Sequence, residues 1–184
     1  MKKVLLTLFS LGMCVSVFAQ KIAPEIKTGT SIKASAYVQG QEFPLLLTVK
    51  SLKDPVVLAW TVNGYGDGTF EMSDQGLESA TQMMATEQPS LGVTKLSDNE
   101  TFGVISKAAY KSLVDTKTLT YNGIKFKIKT ANSKPFMLSG KEVDATNIVS
   151  EDGKLEFWIL NNATFPLVLQ SDGLPIDIAV SEIK

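Results

Sequence analysis

The chain contains no histidine and no arginine: all 18 of its basic residues are lysine. Its one cysteine, Cys14, lies in an apolar N-terminal run. Each absence closes off a chemistry. Without imidazole there is no Ser-His-Asp or Cys-His nucleophile system and no zinc site built from His and Cys. Without a second cysteine no intrachain disulfide forms, so an ordinary hydrophobic core must hold the fold. Without guanidinium groups the bidentate clamps on phosphate and carboxylate are missing. A Ser-Lys dyad and paired carboxylates remain available. The S-x-x-K spacing falls at Ser181 and Lys184, on the last residues of the sequence, a poor place for an active site. A net charge of −1 gives no electrostatic case for nucleic acid.

What is present begins with a targeting segment. Lys2 and Lys3 precede an apolar run from Val4 to Phe18, closed by Ala19. A positive flank, a short apolar stretch and a small residue at its end read as a secretory signal peptide over 1–19, with cleavage expected before Gln20. The run is short of the ~20 apolar residues that span a bilayer. Bulky Met13 stands where lipoprotein processing needs a small residue, so Cys14 reads as part of the discarded segment. Residues 20–184 are then one exported domain, periplasmic or secreted, with no transmembrane segment in the mature chain and enough length for a real core. Losing Lys2 and Lys3 makes it more acidic.

Within that domain the clearest local signal is TLTYNGIKFKIK, 118–129. Asn122-Gly123 is the preferred pair for a two-residue type I′ turn, since both positions need positive φ. Beyond it Ile124, Phe126 and Ile128 alternate with Lys125, Lys127 and Lys129, the pattern of a half-buried strand with a solvated lysine face. Further strands are expected at 43–49, 56–62, 68–73, 154–160, 164–170 and 175–183, joined by short turn-forming connections. Two helices are expected. One lies within 73–87, capped by Ser73 or Asp74, with Leu77, Ala80, Met83 and Met84 on one face. The other spans 106–115, with Ser106 as cap and Ala109, Tyr110, Leu113 and Val114 as its apolar face. The sum is a mainly β fold, antiparallel, with one or two short helices.

The stretch WTVNGYGDGTFEMSD, 60–74, concentrates carboxylates and glycines. An EF-hand loop places ligands at its first, third, fifth and twelfth positions, with Gly at the sixth. Counted from Asn63, Asp67, Gly68 and Asp74 fit, but Tyr65 takes the third position and Asp replaces the long bidentate Glu at the last. Asp67 and Asp74 are weak calcium candidates on this basis. As an acid pair, Asp67 and Glu71 would share a strand face but sit ~13 Å apart, beyond the ~6–9 Å of glycosidase pairs. A strand–turn–strand, with Gly66-Asp67-Gly68 supplying the turn, is the plainer reading.

The C-terminal stretch FWILNNATFPLVLQSDGLPIDIAVSEI, 157–183, resembles the end of exported Gram-negative proteins in domain-of-unknown-function family 3108. The matching positions are Trp158, Pro166-Leu167, Gly173 and the alternation Ile176, Ile178, Val180, Ile183. The resemblance implies a single rolled antiparallel sheet, a half-open barrel, and no assigned activity.

Two functional readings follow. Strands 56–62 and 154–160 carry apolar groups on both faces, which means either burial between layers or a cavity wall. In the cavity version the protein is a non-enzymatic envelope module for a lipid-like ligand or a protein partner. Its candidate lining residues are Val57, Trp60, Trp158 and Leu160, with no cofactor. Of the two tryptophans, Trp158 is expected to matter most for stability and Trp60 most for the ligand. The alternatives are a hydrolase using Asp67, Glu71, Asp74, Tyr65 or Tyr121, or a structural or assembly role. An apolar cavity without charges favours binding; two carboxylates within ~10 Å in a polar cleft favour hydrolysis.

Overall fold

The computed structural model describes residues 21–84, 90–130 and 134–184. The signal segment and the far end of the first expected helix lie outside them.

The chain opens with a four-stranded meander: β1 (Ser31–Val38), β2 (Gln41–Ser51), β3 (Val56–Val62) and β4 (Gly66–Met72). Helix α1 (Asp74–Ser79), strand β5 (Gln82–Met83), strand β6 (Gly92–Lys95), strand β7 (Glu100–Thr101) and helix α2 (Lys107–Thr116) follow. Next come the hairpin β8 (Thr118–Tyr121) and β9 (Ile124–Ile128), then the short pair β10 (Met137–Leu138) and β11 (Lys141–Glu142). A second meander ends the chain: β12 (Ala145–Ser150), β13 (Glu156–Leu160), β14 (Val168–Asp172) and β15 (Ile176–Ile183).

Eleven strands form one sheet in the order β6-β4-β3-β2-β1-β15-β14-β13-β12-β9-β8. The first and last long strands meet at its centre, where Ala36 faces Ile178 and Val38 faces Ile176. All neighbours are antiparallel except β4 and β6. The ends do not pair with each other, so the fold is the expected half-open rolled sheet. Register shifts at Lys33/Ala34, Val49/Ser51 and Trp158/Ile159 mark irregularities of the kind that bend a sheet. Sheets this wide curl rather than stay flat.

Alternation explains the strands. In β2, Leu45, Leu47 and Val49 are buried, while Leu46 between them is exposed. In β3, Val56, Leu58 and Trp60 are buried; in β4, Phe70 and Met72. The buried side chains form two clusters. One gathers the faces of β1 to β4, and the other packs α2 against β8, β9, β12 and β13. The two Phe-Pro-Leu stretches hold different places, since Pro44 sits inside β2 opposite Ser35 whereas Pro166 precedes β14.

The first helix is shorter than its periodicity predicts. Ser73 caps it, accepting from Gly76 N at 3.1 Å, but the chain leaves the helix at Ala80. Distant groups compete for the backbone that would continue it. Asn99 Oδ1 accepts from Thr81 N at 2.9 Å, Asn122 Oδ1 accepts from Met83 N at 2.7 Å, and Met84 N donates to Thr101 O at 2.8 Å. Tertiary hydrogen bonds thus override a marginal short helix. The second helix agrees with expectation, with Ser106 Oγ accepting from Ala109 N at 3.2 Å. Leu113 is buried, whereas Val114 is exposed.

Candidate functional site

A cavity of about 170 Å³ lies at the seam between the two clusters. One wall comes from the first meander: Ala36, Leu45, Trp60 and Phe70, all buried. The lining continues from β1 into its ladder neighbours β15 and β14, through Val168, Ser171, Ile176 and Ile178. Met83, Met84, Phe102 and Gly103 complete it. The parallel bridge of β5 to β7 holds Met83 and Met84 in place, and Asn122 clamps Met83 from both sides of its peptide unit. Asn122 therefore does two jobs, supplying the positive φ of the hairpin turn and positioning the wall. Phe102 stacks on Phe70 with ring centroids 3.8 Å apart.

Among the described residues the lining carries no charged side chain. Ser171 is committed, donating to Asp177 Oδ1 at 3.0 Å and accepting from Ile178 N at 2.9 Å. Trp60 is 1 % exposed, and its Nε1 is buried without a hydrogen-bond partner. Tyr65 lies 6.0 Å from Trp60, centroid to centroid, and is exposed.

A second groove of about 390 Å³ is of another kind. Trp158 and Phe136, 5.7 Å apart, line it together with Lys21, Lys129, Lys134 and Glu142. Lys21 pairs with Glu142 at 3.0 Å and Lys129 with Glu156 at 2.5 Å. Burial raises the Glu156 carboxyl, but hydrogen bonds from Lys129 and Asn147, with the Lys129 charge, outweigh it and hold the group below its ordinary value.

Of the four candidate lining residues, the apolar cavity contains Trp60 alone. Val57 is half-buried on the opposite face of β3, across from Glu71. Trp158 is half-buried: it lines the polar groove and packs against the first cluster, outside the apolar cavity. Leu160 is fully buried in the first cluster. Periodicity along one strand could not reveal Phe43, Met83, Met84, Phe102 or Leu174 as lining residues, because the cavity joins segments far apart in sequence.

The carboxylates of 60–74 do not converge. Asp67 and Asp74 sit at opposite ends of β4, ~20 Å apart along the strand, so the two weak calcium candidates share no site. Among the described residues no group of three or more acidic side chains is placed to hold a metal. Glu71 faces Lys95 at 3.7 Å. Tyr121 is buried, its hydroxyl 2.8 Å from Thr101 Oγ1 and accepting from Ser106 N at 3.1 Å. Burial pushes its phenol up despite those bonds, and its role is to tie β7 and the start of α2 to β8.

No protein-family model, no curated protein and no solved structure matches the chain. Among the described residues, no helix is long and apolar enough to cross a membrane.

Proposed function

We propose that the protein is a non-enzymatic binding module of the cell envelope, exported by its N-terminal segment, which holds an apolar, lipid-like ligand in the seam cavity. One observation carries this reading: a solvent-connected cavity whose lining, among the described residues, has no charged side chain and whose aliphatic hydroxyl, that of Ser171, is already hydrogen-bonded. Such a site stabilises hydrocarbon and offers no acid–base pair for turnover. The hydrolase alternative lacks support, because Asp67 and Glu71 are spaced along β4, Asp74 begins α1 beyond its far end, and Tyr121 is buried. A protein partner is the second reading, favoured by Leu91 and Val93, which are 65 % and 60 % exposed beside the open β6 edge.

Native mass spectrometry of protein purified gently from periplasm tests the proposal. An added mass that organic extraction removes, and that identifies as an apolar molecule, is the expected result. A bare protein that also fails to enhance the fluorescence of an apolar dye would sink the ligand reading and leave the partner reading standing.

A further inference from the structure

The mouth of the cavity has a definite place and charge. Besides Met84, Phe102 and Ile178, its half-buried lining residues are Val38, Phe43, Val62, Leu174 and Ile176, with exposed Tyr65 beside them. They flank three hairpin turns, β1–β2, β3–β4 and β14–β15. The registers Val38↔Ile176 and Leu45↔Val62 put all three turns at the same end of the roll. The fully buried walls, Trp60, Phe70 and Val168, form the floor. At that end Asp177 reaches the lining, its Oδ1 accepting from Ser171 Oγ and from Leu174 N, each at 3.0 Å. The rim therefore carries a carboxylate beside an interior that has no charged side chain among the described residues.

Size adds a second constraint. An apolar cavity of roughly 150 Å³ holds one benzene, so about 170 Å³ accommodates some six carbons and not a whole fatty-acyl chain. Resting on the apolar-ligand reading above, we infer that the cavity takes the terminal segment of a single hydrocarbon chain, inserted end-on from the turn end. The remainder of the chain stays outside, and the acidic rim selects a neutral or cationic head group over an anionic one. Insertion tail-first follows from the lining, which among the described residues has no charged group to replace the hydration of a head group.

Calorimetric titration with straight-chain alcohols from butanol to dodecanol, and with octylamine and octanoate, tests both halves. Each added carbon should tighten alcohol binding roughly fourfold, from the ~0.8 kcal/mol of a buried methylene. The gain should level off beyond about six carbons. Octanoate should bind more weakly than octanol and octylamine, with the gap closing in ~1 M salt, where charges are screened within ~3 Å. Asp177→Asn should strengthen octanoate alone. Affinity that keeps rising through dodecanol would overturn end-on insertion, and so would benzyl alcohol outbinding hexanol. Octanoate binding as tightly as octanol at low salt would overturn rim selection while leaving the apolar site intact. If no alcohol and no apolar dye binds at all, the ligand reading itself fails.

Discussion

The indole of Trp60 lies against the Cα of Gly68, its direct partner across the β3–β4 ladder. A Cβ at position 68 would stand 2.9 Å from Trp60 Nε1 and Cζ2, and 2.5 Å from the carbonyl oxygen of Gly92 on β6. The glycine that looked like turn chemistry in the sequence is thus a packing requirement: β4 must present bare backbone so that the cavity wall and the sheet edge can both close on it. Gly68→Ala should cost about 1–3 kcal/mol, the usual range for overpacking, and should shift the near-ultraviolet circular dichroism of Trp60. Urea denaturation with unchanged stability and spectrum would mean that Trp60 and β6 yield without cost.

Burial reverses the order in which the two tryptophans were expected to matter for stability, while Trp60 keeps its place in the cavity lining. Trp60 is buried in the first cluster, whereas Trp158 is half-buried beside charged groups. Trp60→Ala should cost about 3–5 kcal/mol, as large core aromatics do, and Trp158→Ala clearly less. Denaturation midpoints of the two variants decide it. If Trp158→Ala is the more damaging, the polar groove contributes more to the core than its exposure implies.

Much of the fold is legible in the sequence because local rules and tertiary needs agree there. Asn122-Gly123 adopts φ values of 52° and 72°, as a type I′ turn requires, and Phe126 points inward between exposed Lys125 and Lys127. Strand β12 escapes a pattern reading because two of its buried positions are polar, Asn147 and Ser150. Their partners, Glu156 and Asp152, are invisible until the chain has folded. Strand β1 is veiled for another reason: its inward residues Ala34 and Ala36 are small, which leaves room for the cavity above Ala36 but weakens the alternation. The site itself was legible only through Trp60. The rest of the lining comes from sequence-distant segments, brought together by hydrogen bonds from Asn122 and Thr101.

Calcium should leave the protein unchanged. A cation bound to the native state alone adds ~2.7 kcal/mol at a hundredfold excess over its dissociation constant. With Asp67 and Asp74 at opposite ends of β4, no such gain is expected. Thermal melts with and without millimolar calcium should coincide. A rise that Asp67→Asn removes would establish a site at the β3–β4 turn.

Acid should weaken the fold partly through Glu156. Its carboxyl is held below the ordinary value of 4.5, because hydrogen bonds from Lys129 and Asn147 outweigh its burial. The folded protein therefore binds fewer protons at this group than the unfolded chain does in mild acid. Its contribution is complete above the unfolded value and is lost as pH falls through the lower folded value. Glu182, lowered by its hydrogen bonds to Lys184 and Lys33, acts in the same direction, so the decline does not belong to one residue. Glu156→Gln keeps an acceptor for Asn147 but abolishes the titration. It should lower stability at neutral pH and flatten the fall between about pH 5 and pH 3. Lys129→Met should flatten the same window by removing the group that depresses Glu156. Urea midpoints for the three proteins across that range provide the check. If Glu156→Gln loses stability equally at every pH, the Lys129–Glu156 pair holds the groove by packing and not by charge.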